Sequence, residues 1–266
     1  MIVNRTLAKI AKYEFSNVAR SRWLLPYTLG LALATELLIR FSGTTSAALL
    51  GASNLVLLVI PLVSLTVGTM YFYSSRPFTE LMLAQPVPRR DLALGLLIGS
   101  ALPLAGGFVA GVGAPLLIHG AFSGETAGAA VALIGSGALL ATAFASLAFL
   151  ISVCIEDRLR GLATAIGVWL VLALLYDGAV LFVAAVFSDY PLEKPLLTAM
   201  LLNPVDLARV WLMLQLDVAA LLGYTGAVLR RFFGSGTGTA IAAAALLAWT
   251  AIPLALGVRR FQRRDF

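Results

Sequence analysis

Six long apolar stretches, separated by short polar segments, dominate the pattern of this 266-residue chain. They cover residues 23–42, 47–73, 92–118, 128–154, 162–187 and 238–258. Each is close to or above the ~20 residues that an α-helix needs to cross the hydrocarbon core of a bilayer. With 12% charged and 60% hydrophobic residues, the chain also has too few charges to cover a soluble domain of this length. The sequence therefore predicts an all-α membrane protein with six transmembrane helices.

The basic residues predict the orientation of these spans. Fourteen of the 19 Lys and Arg residues fall on the side that carries both chain ends, and five fall on the other. The fourteen are Arg5, Lys9, Lys12, Arg20, Arg22, Arg76, Arg89, Arg90, Arg158, Arg160, Arg259, Arg260, Arg263 and Arg264; the five are Arg40, Lys194, Arg209, Arg230 and Arg231. Since cytoplasmic loops carry the excess of Lys and Arg, we expect a bacterial inner-membrane protein with both termini in the cytoplasm.

Residues 1–22 predict an amphipathic helix that lies on the cytoplasmic membrane surface. Its basic face would meet anionic headgroups and its apolar face the lipid. The apolar face holds Val3, Leu7, Ile10, Ala11, Phe15 and Val18, and the polar face Arg5, Lys9, Lys12, Ser16 and Arg20. Glu14 projects from the apolar face. Either its carboxylate snorkels to water, or it forms a salt bridge with a basic residue of a neighbouring cytoplasmic loop.

The loop between spans two and three, residues 74–91, predicts a short helix bounded by prolines. Ser75 is a candidate N-cap, Pro77 suits the first turn and Pro86 stops the helix. One face carries Phe78, Leu81 and Met82, with Glu80 elsewhere. Apolar side chains on a cytoplasmic helix favour docking of a soluble partner; the alternative is an interfacial helix lying against lipid. The charged segment 156–160 is either a second contact for that partner or a solvated connector.

The segment between spans five and six, residues 188–237, predicts helix outside the membrane core. Within "LLNPVDLARVWLMLQL", Asn203 is a good N-cap, Pro204 suits the first helical position and Asp206 suits the electropositive first turn. This helix is too short to span alone. We expect it to lie on or dip into the outer leaflet, or to contact a periplasmic partner through Asn203, Asp206 and Arg209.

Asp177 is the informative polar residue within the spans. A carboxylate at that depth is costly and indicates either function or pairing with another helix. Glu36 and Arg40, one helical turn apart near the outer end of span one, are expected to pair. Two pairs of glycines four residues apart predict close helix approach. They are Gly95 with Gly99 and Gly107 with Gly111.

The motifs of enzymes and nucleotide-binding proteins are missing from the sequence. There is no GxxxxGK[ST], so the chain is not expected to bind nucleotide phosphates itself. His119 is the only histidine and Cys154 the only cysteine, which leaves no His–His pair, cysteine cluster or internal disulfide. We therefore expect no catalytic residue, metal or cofactor in this chain.

Several segments together resemble the ABC-2-type permeases. They are the "YEF" of the N-terminal helix, the first cytoplasmic loop "FTELMLAQPVPR" and the long outer segment after span five. "SDYPLEKP", "LLNPVDLARVWLMLQLD" and "GYTGAVLRRFFG" are more specifically similar to permeases of the system that matures nitrous oxide reductase. The likeness covers nearly the whole chain and is strongest over residues 151–233.

The resemblance implies a type V-like permease architecture, with residues 23–266 as the six-helix permease domain. It also implies a homodimer that binds cytoplasmic ABC ATPases, which hold ATP and Mg²⁺, and a periplasmic β-helical protein. By position, residues 76–85 would be the coupling helix, with Arg76, Phe78, Glu80, Leu81 and Met82 at the ATPase. The 203–206 turn would belong to the outer re-entrant or interfacial element. Where many members carry an acidic cluster before the coupling segment, this chain has Ser74, Ser75 and Arg76.

Three further functions compete with an ABC permease of this maturation type. A secondary transporter would show internal repeats and several intramembrane charges, and the sequence shows no convincing repeat and one deep charge, at Asp177. The second competing function is that of an ABC-2 permease that exports a lipid, drug or ion. The third is that of a non-transporting membrane scaffold. Partner binding, rather than any sequence feature, separates a permease from a scaffold.

Overall fold

The computed structural model describes residues 2–187, 193–216 and 236–263. Within these residues the chain forms eleven α-helices, one 3₁₀ turn and one π turn. The helices are α1 (Ile2–Ala19), α2 (Leu24–Phe41), α3 (Thr45–Ser74), α4 (Arg76–Leu83), α5 (Arg89–Ile118), α6 (Ala127–Cys154), α7 (Arg158–Leu170), α8 (Tyr176–Val186), α9 (Glu193–Leu201), α10 (Pro204–Gln215) and α11 (Gly236–Gln262). The 3₁₀ turn is Gly124–Thr126 and the π turn is Val171–Leu175.

Among the described residues, six helical stretches are long and apolar enough to cross a membrane, which confirms the predicted number of spans. They are Leu24–Phe41, Thr45–Ser74, Arg89–Ile118, Gly124–Cys154, Arg158–Val183 and Ala240–Gln262. The third and fourth are the most buried, and the first and fifth the least. The protein core therefore lies around α5 and α6, while α2 and the α7–α8 span present apolar surface outward.

Helix α6 is the centre of the bundle and packs against α3, α5 and α11. Small residues on α6 and its neighbours let large aromatic rings lie between the helices. A Cβ at Gly137 of α6 would lie 2.2 Å from the Phe108 ring of α5. Phe149 is buried between Phe72 of α3 and Phe261 of α11, with ring centroids 5.2 and 6.2 Å away. Close packing of this kind holds helices together where apolar surroundings supply no hydrophobic drive.

The first predicted glycine pair lets α1 approach α5 closely. A Cβ at Gly95 would lie 2.5 Å from Cγ2 of Ile10, and one at Gly99 would lie 2.3 Å from Cβ of Glu14. This contact corrects the expectation that α1 rests on the membrane with its apolar face in lipid. Ile10, Glu14 and Val18 are buried, while Phe15 is 44% exposed. One edge of the apolar face thus packs against protein.

The second predicted glycine pair serves α2. A Cβ at Gly107 would lie 2.8 Å from Oγ1 of Thr28, and one at Gly111 would lie 2.7 Å from the main-chain oxygen of the same residue. Helix α5 therefore offers one glycine pair to each of two neighbours, α1 at one end and α2 at the other.

The fifth span is interrupted, whereas the sequence predicted one continuous helix. Helix α7 widens into the π turn Val171–Leu175 before α8 begins at Tyr176. A π turn adds one residue to the helical turn and is often found at functional sites. The outer helix α10 packs against α3, α6 and α11, and also contacts this turn. Its residues Val205, Leu207 and Leu212 are almost fully buried, so α10 dips into the bundle.

Candidate functional site

Two groups of residues at opposite ends of the bundle carry the predicted functional side chains. We call α4 and its contacts the inner site, because it lies at the end that holds most of the basic residues. We call Tyr176, Asp177, Asn203, Asp206 and Arg209 the outer cluster.

Prolines lie near both ends of helix α4, at Pro77 and Pro86. Pro77 stands in the first turn, where its missing N–H costs nothing, and the helix ends at Leu83 before Pro86. The expected N-cap by Ser75 is wrong. Its hydroxyl donates to the main-chain oxygen of Phe72, 3.1 Å away, and makes no cap to α4.

The predicted apolar face of α4 is divided between protein and solvent. Phe78 stacks on Tyr13 of α1, with ring centroids 5.5 Å apart and 20° between the planes. Phe78 and Met82 both pack against the core. Leu81, in contrast, is 63% exposed, and Glu80 beside it is exposed too. A partner that docks on α4 would meet Leu81 and Glu80, while Phe78 and Met82 hold α4 to the bundle.

Arg76 ties α4 to the end of α6. Its guanidinium group donates to the main-chain oxygens of Glu156 at 2.7 Å, Ile155 at 3.1 Å and Ser152 at 3.2 Å. It also lies over the Tyr73 ring, 4.4 Å from the centroid. The last carbonyls of a helix have no partner within the helix, and a cation there is favourable. Arg76 was predicted to face an ATPase, and the structure uses it as an internal cap.

The segment between α6 and α7 is part of the same arrangement. The Tyr73 hydroxyl donates to the Ile155 oxygen at 2.9 Å. A Cβ at Gly161 would lie 1.9 Å from that hydroxyl oxygen, so only glycine allows this approach. Asp157 caps α7 by accepting from the Arg160 amide at 2.7 Å. The segment is therefore folded onto α3 and α4 and is more than a solvated connector.

Glu14 has a partner that neither interpretation foresaw. Its side chain is 1% exposed and its carboxylate accepts a hydrogen bond from the Tyr71 hydroxyl of α3. The expected salt bridge to a cytoplasmic loop is thus replaced by a neutral donor within the bundle. A buried polar group needs such a partner, and this one links α1 to α3.

At the outer cluster one guanidinium group serves two carboxylates. Nη1 of Arg209 forms salt bridges with Asp177 of α8 and, at 3.0 Å, with Asp206 of α10. Asp177 is therefore paired with another helix, which was one of the two expectations for it. Burial, together with the neighbouring Asp177 carboxyl group, raises the pKa of Asp206 to about 7. Near neutral pH the Arg209 guanidinium group therefore lies beside an Asp206 carboxyl group that is only partly ionised.

Asn203 joins α10 to the π turn. Its Oδ1 accepts from the Val205 amide at 3.0 Å, which confirms the predicted N-cap. Its Nδ2 donates to the main-chain oxygen of Leu172 at 2.8 Å. A π turn disturbs the regular helical bonds, and Asn203 supplies a donor at that point. Close by, the Tyr176 hydroxyl donates to the Ala199 oxygen at 2.7 Å.

The burial of this cluster corrects one prediction. Asn203 is fully buried and Asp206 is 7% exposed, so both face the bundle and are not placed to touch a periplasmic partner. Arg209 is turned toward the two carboxylates. The exposed side chain nearest to them in the chain is Leu202, at 60%. The motif "GYTGAVLRRFFG" lies outside the described residues.

The predicted pair at the outer end of span one is confirmed, with an added member. Nε of Arg40 lies 2.7 Å from Glu36, and Nε2 of His119 lies 3.0 Å from its other oxygen. Among the described residues, no group of three or more His, Cys, Asp or Glu residues is placed to hold a metal ion.

Sequence reasoning missed the long-range contacts of both sites, and three of them hold predicted site residues. The Tyr71–Glu14 bond, the Arg76 cap and the Asn203–Leu172 bond each join residues far apart in the chain. Only the acidic residue in the apolar face of α1 gave a signal, since a carboxylate there requires a partner.

A multi-pass helical bundle with a short helix displayed at its basic end is the architecture expected of a membrane permease subunit. The sequence model of the family described as ABC-2 family transporter protein matches residues 76–266, which is more than half of the chain. The chain therefore belongs to the ABC-2 transporter family.

Two relatives resemble the chain over nearly its full length. One, from Pseudomonas aeruginosa, is called probable ABC transporter permease protein NosY and is 28% identical over 272 residues. The other, from Stutzerimonas stutzeri, carries the same name and is 27% identical over 273 residues. Each alignment covers 96% of this chain and 97% of the relative. The chain is a NosY-like ABC-2 permease subunit of an ABC transporter.

Proposed function

We propose that this permease transmits ATP-driven movement from a separate cytoplasmic ATPase to the outer face of a bacterial inner membrane. The observation that carries the proposal is α4, which exposes Leu81 and Glu80 while Phe78 and Arg76 fix it to α1, α3 and the end of α6. A helix held in this way moves only when the bundle moves. ATP and Mg²⁺ would be bound by the ATPase, which is of the NosF type.

The charge distribution supports the orientation. The basic residues concentrate on the side of α1, α4 and the end of α11, which favours both termini in the cytoplasm. We further propose that two copies of the chain form the membrane part, each with one ATPase. The outward-facing apolar surfaces of α2 and of the α7–α8 span are suited to lipid or to a second copy.

A continuous set of contacts leads from the inner site to the outer cluster. Arg76 joins α4 to α6, α6 packs against α10, and α10 is bound to the α7–α8 span by Asn203 and Arg209. Closure of the ATPases would tilt these helices as packed bodies, which is a hinge or shear transition. Helices α9 and α10 would pass the tilt to a protein on the outer face.

We propose that the system matures the copper–sulfur centre of nitrous oxide reductase, with a NosD-like β-helical protein as the periplasmic partner. The full-length likeness to permeases called NosY and the motifs within residues 151–216 support this assignment. No transported molecule is required for it, since force transmission alone serves a partner outside the membrane.

The coupling role is tested with two matched variants, Leu81→Asp and Leu202→Asp. The two leucines are 63% and 60% exposed and lie at opposite ends of the protein. We expect Leu81→Asp to abolish co-purification of the ATPase and Leu202→Asp to leave it intact. Equal retention of the ATPase by both variants would remove α4 from the docking surface.

The maturation role is tested by purifying the chain from its native membranes in mild detergent and identifying bound proteins by mass spectrometry. An ABC ATPase together with a β-helical periplasmic protein is expected. An ATPase alone would favour an ABC-2 permease that exports another substrate. Recovery of neither, under conditions that preserve other ABC complexes, would favour a scaffold.

A further inference from the structure

A basic cleft lies at the inner end of the bundle, between the last turn of α6 and the last two turns of α11. Its volume is about 570 Å³. It is separate from the inner site and the outer cluster, except that Glu156 belongs to its rim. The lining residues are Val153, Cys154, Glu156, Leu256, Arg259, Arg260 and Arg263.

Three guanidinium groups surround this cleft with one carboxylate. Arg259, Arg260 and Arg263 are all exposed, and the salt bridges found among the described residues involve none of them. Like charges held within two helical turns repel one another, and the one carboxylate of the lining, Glu156, can offset only one of the three. Guanidinium groups bind phosphate oxygens through parallel hydrogen bonds, so the chemistry indicates a phosphate-bearing anion.

The position of the cleft favours the phosphate of a lipid headgroup over a free phosphate ion. Both α6 and α11 are membrane spans that end here, so the cleft opens where hydrocarbon gives way to headgroups. Val153 and Leu256 supply apolar surface to the lining of the cleft. Basic pockets between transmembrane helices at such a level bind lipid headgroups.

We propose that this cleft is a binding site for an anionic phospholipid, with the phosphate held by Arg259, Arg260 and Arg263. One acyl chain would lie against Val153 and Leu256. The lipid would bridge the ends of α6 and α11 at the basic end of the bundle.

The single cysteine of the chain is a ready reporter, because Cys154 is exposed and lines the cleft. The full-length permease in detergent is treated with a maleimide dye while phosphatidylglycerol, phosphatidylcholine or inorganic phosphate is added. We expect phosphatidylglycerol to slow labelling of Cys154, and the other two to have little effect.

Variants then test which arginines are responsible. The triple variant Arg259→Gln, Arg260→Gln, Arg263→Gln should need roughly a hundredfold more phosphatidylglycerol for the same protection. The control Arg20→Gln, Arg22→Gln, Arg90→Gln removes equal charge from the same end of the protein, at residues outside the cleft. It should keep the protection of the unaltered chain.

Three results would overturn the proposal. Equal protection by inorganic phosphate would make the cleft a site for free anions. Equal loss of protection in the two triple variants would mean that general charge, and not the cleft, attracts the lipid. Protection by the co-purified ATPase with none from phosphatidylglycerol would make the cleft part of a protein interface.

Discussion

The two ends of the bundle satisfy their polar groups by different means. At the inner site, Arg76 donates to main-chain oxygens, and the Glu14 carboxylate accepts from a tyrosine hydroxyl. At the outer cluster, Arg209 lies between the carboxylates of Asp177 and Asp206.

This difference predicts different sensitivity to charge and pH. Main-chain oxygens do not titrate, so the Arg76 cap persists over a wide pH range. The outer cluster depends on the protonation of Asp206, whose pKa of about 7 lies near physiological pH. The Arg76 cap thus keeps its geometry as the pH changes, whereas the outer cluster responds to the change.

The largest effect is expected from Arg209→Gln, which leaves two carboxylates without their cation. Removal of one partner from a fully buried ion pair costs about 3–5 kcal/mol of stability, and this is an upper bound here because the Arg209 and Asp177 side chains are 27% and 33% exposed. Thermal unfolding of the purified permease at pH 8 measures this loss. Combining Arg209→Gln with Asp177→Asn and Asp206→Asn should recover most of it, because no unpaired charge then remains. Failure of the combined variant to recover would mean that packing, and not charge, dominates the cluster.

Titration of the outer cluster is the next effect. The pKa of Asp206 is raised from 3.8 to about 7, so the folded state binds more protons than the unfolded state between these values. The stability that this group contributes is therefore fully present below pH 4, and it is lost as pH rises through 7. The change is at most a few kcal/mol, since one pKa unit corresponds to about 1.4 kcal/mol.

Asp206→Asn should flatten this pH dependence between pH 5 and pH 8. Melting temperatures measured across that range in the unaltered chain and the variant would show it. An unchanged slope in the variant would assign the titration to another group.

Crowding at the inner end gives a smaller effect that does not depend on charge. Gly99→Ala places a Cβ 2.3 Å from that of Glu14, and such overpacking costs about 1–3 kcal/mol. Gly106→Ala on the same helix meets no atom within 4 Å and is the matched control. Thermal unfolding should separate the two, and the Gly99→Ala loss should be the same at pH 6 and pH 8. A marked pH dependence would contradict the proposed contrast between the ends.

The smallest effect is expected at the Glu36–Arg40 pair, whose arginine is 70% exposed. Water and salt screen an exposed pair, so Arg40→Gln should shift the melting temperature little. The comparison with Arg209→Gln sharpens the argument, because both variants remove one arginine from the outer side. Similar losses would mean that burial does not distinguish the two pairs.

Features that depend on residues close together in the chain could be predicted from the sequence. Span number follows from the length of apolar runs, the Asn203 cap from the following Pro204, and the Glu36–Arg40 pair from helical spacing. The glycine pair Gly95 and Gly99 indicated that another helix packs closely against α5. It did not indicate that this helix is α1.

Features that depend on distant residues were not predictable. Arg76 resembled a surface residue of a cytoplasmic loop because its acceptors lie some 80 positions later. The faces of α4 were misassigned for a similar reason. Leu81 and Met82 are adjacent apolar residues, and only the position of the core decides which one is buried.

The π turn changes the direction in which the side chains after it point from the fifth span. A helix advances about 100° per residue, so one extra residue rotates everything after it by about that angle. A regular helical wheel drawn from Arg158 would therefore misplace Asp177. Deleting one residue from the turn would restore an even helix and swing Asp177 away from Arg209. The angular position of side chains along this span, rather than its length or hydropathy, thus decides whether the outer cluster forms.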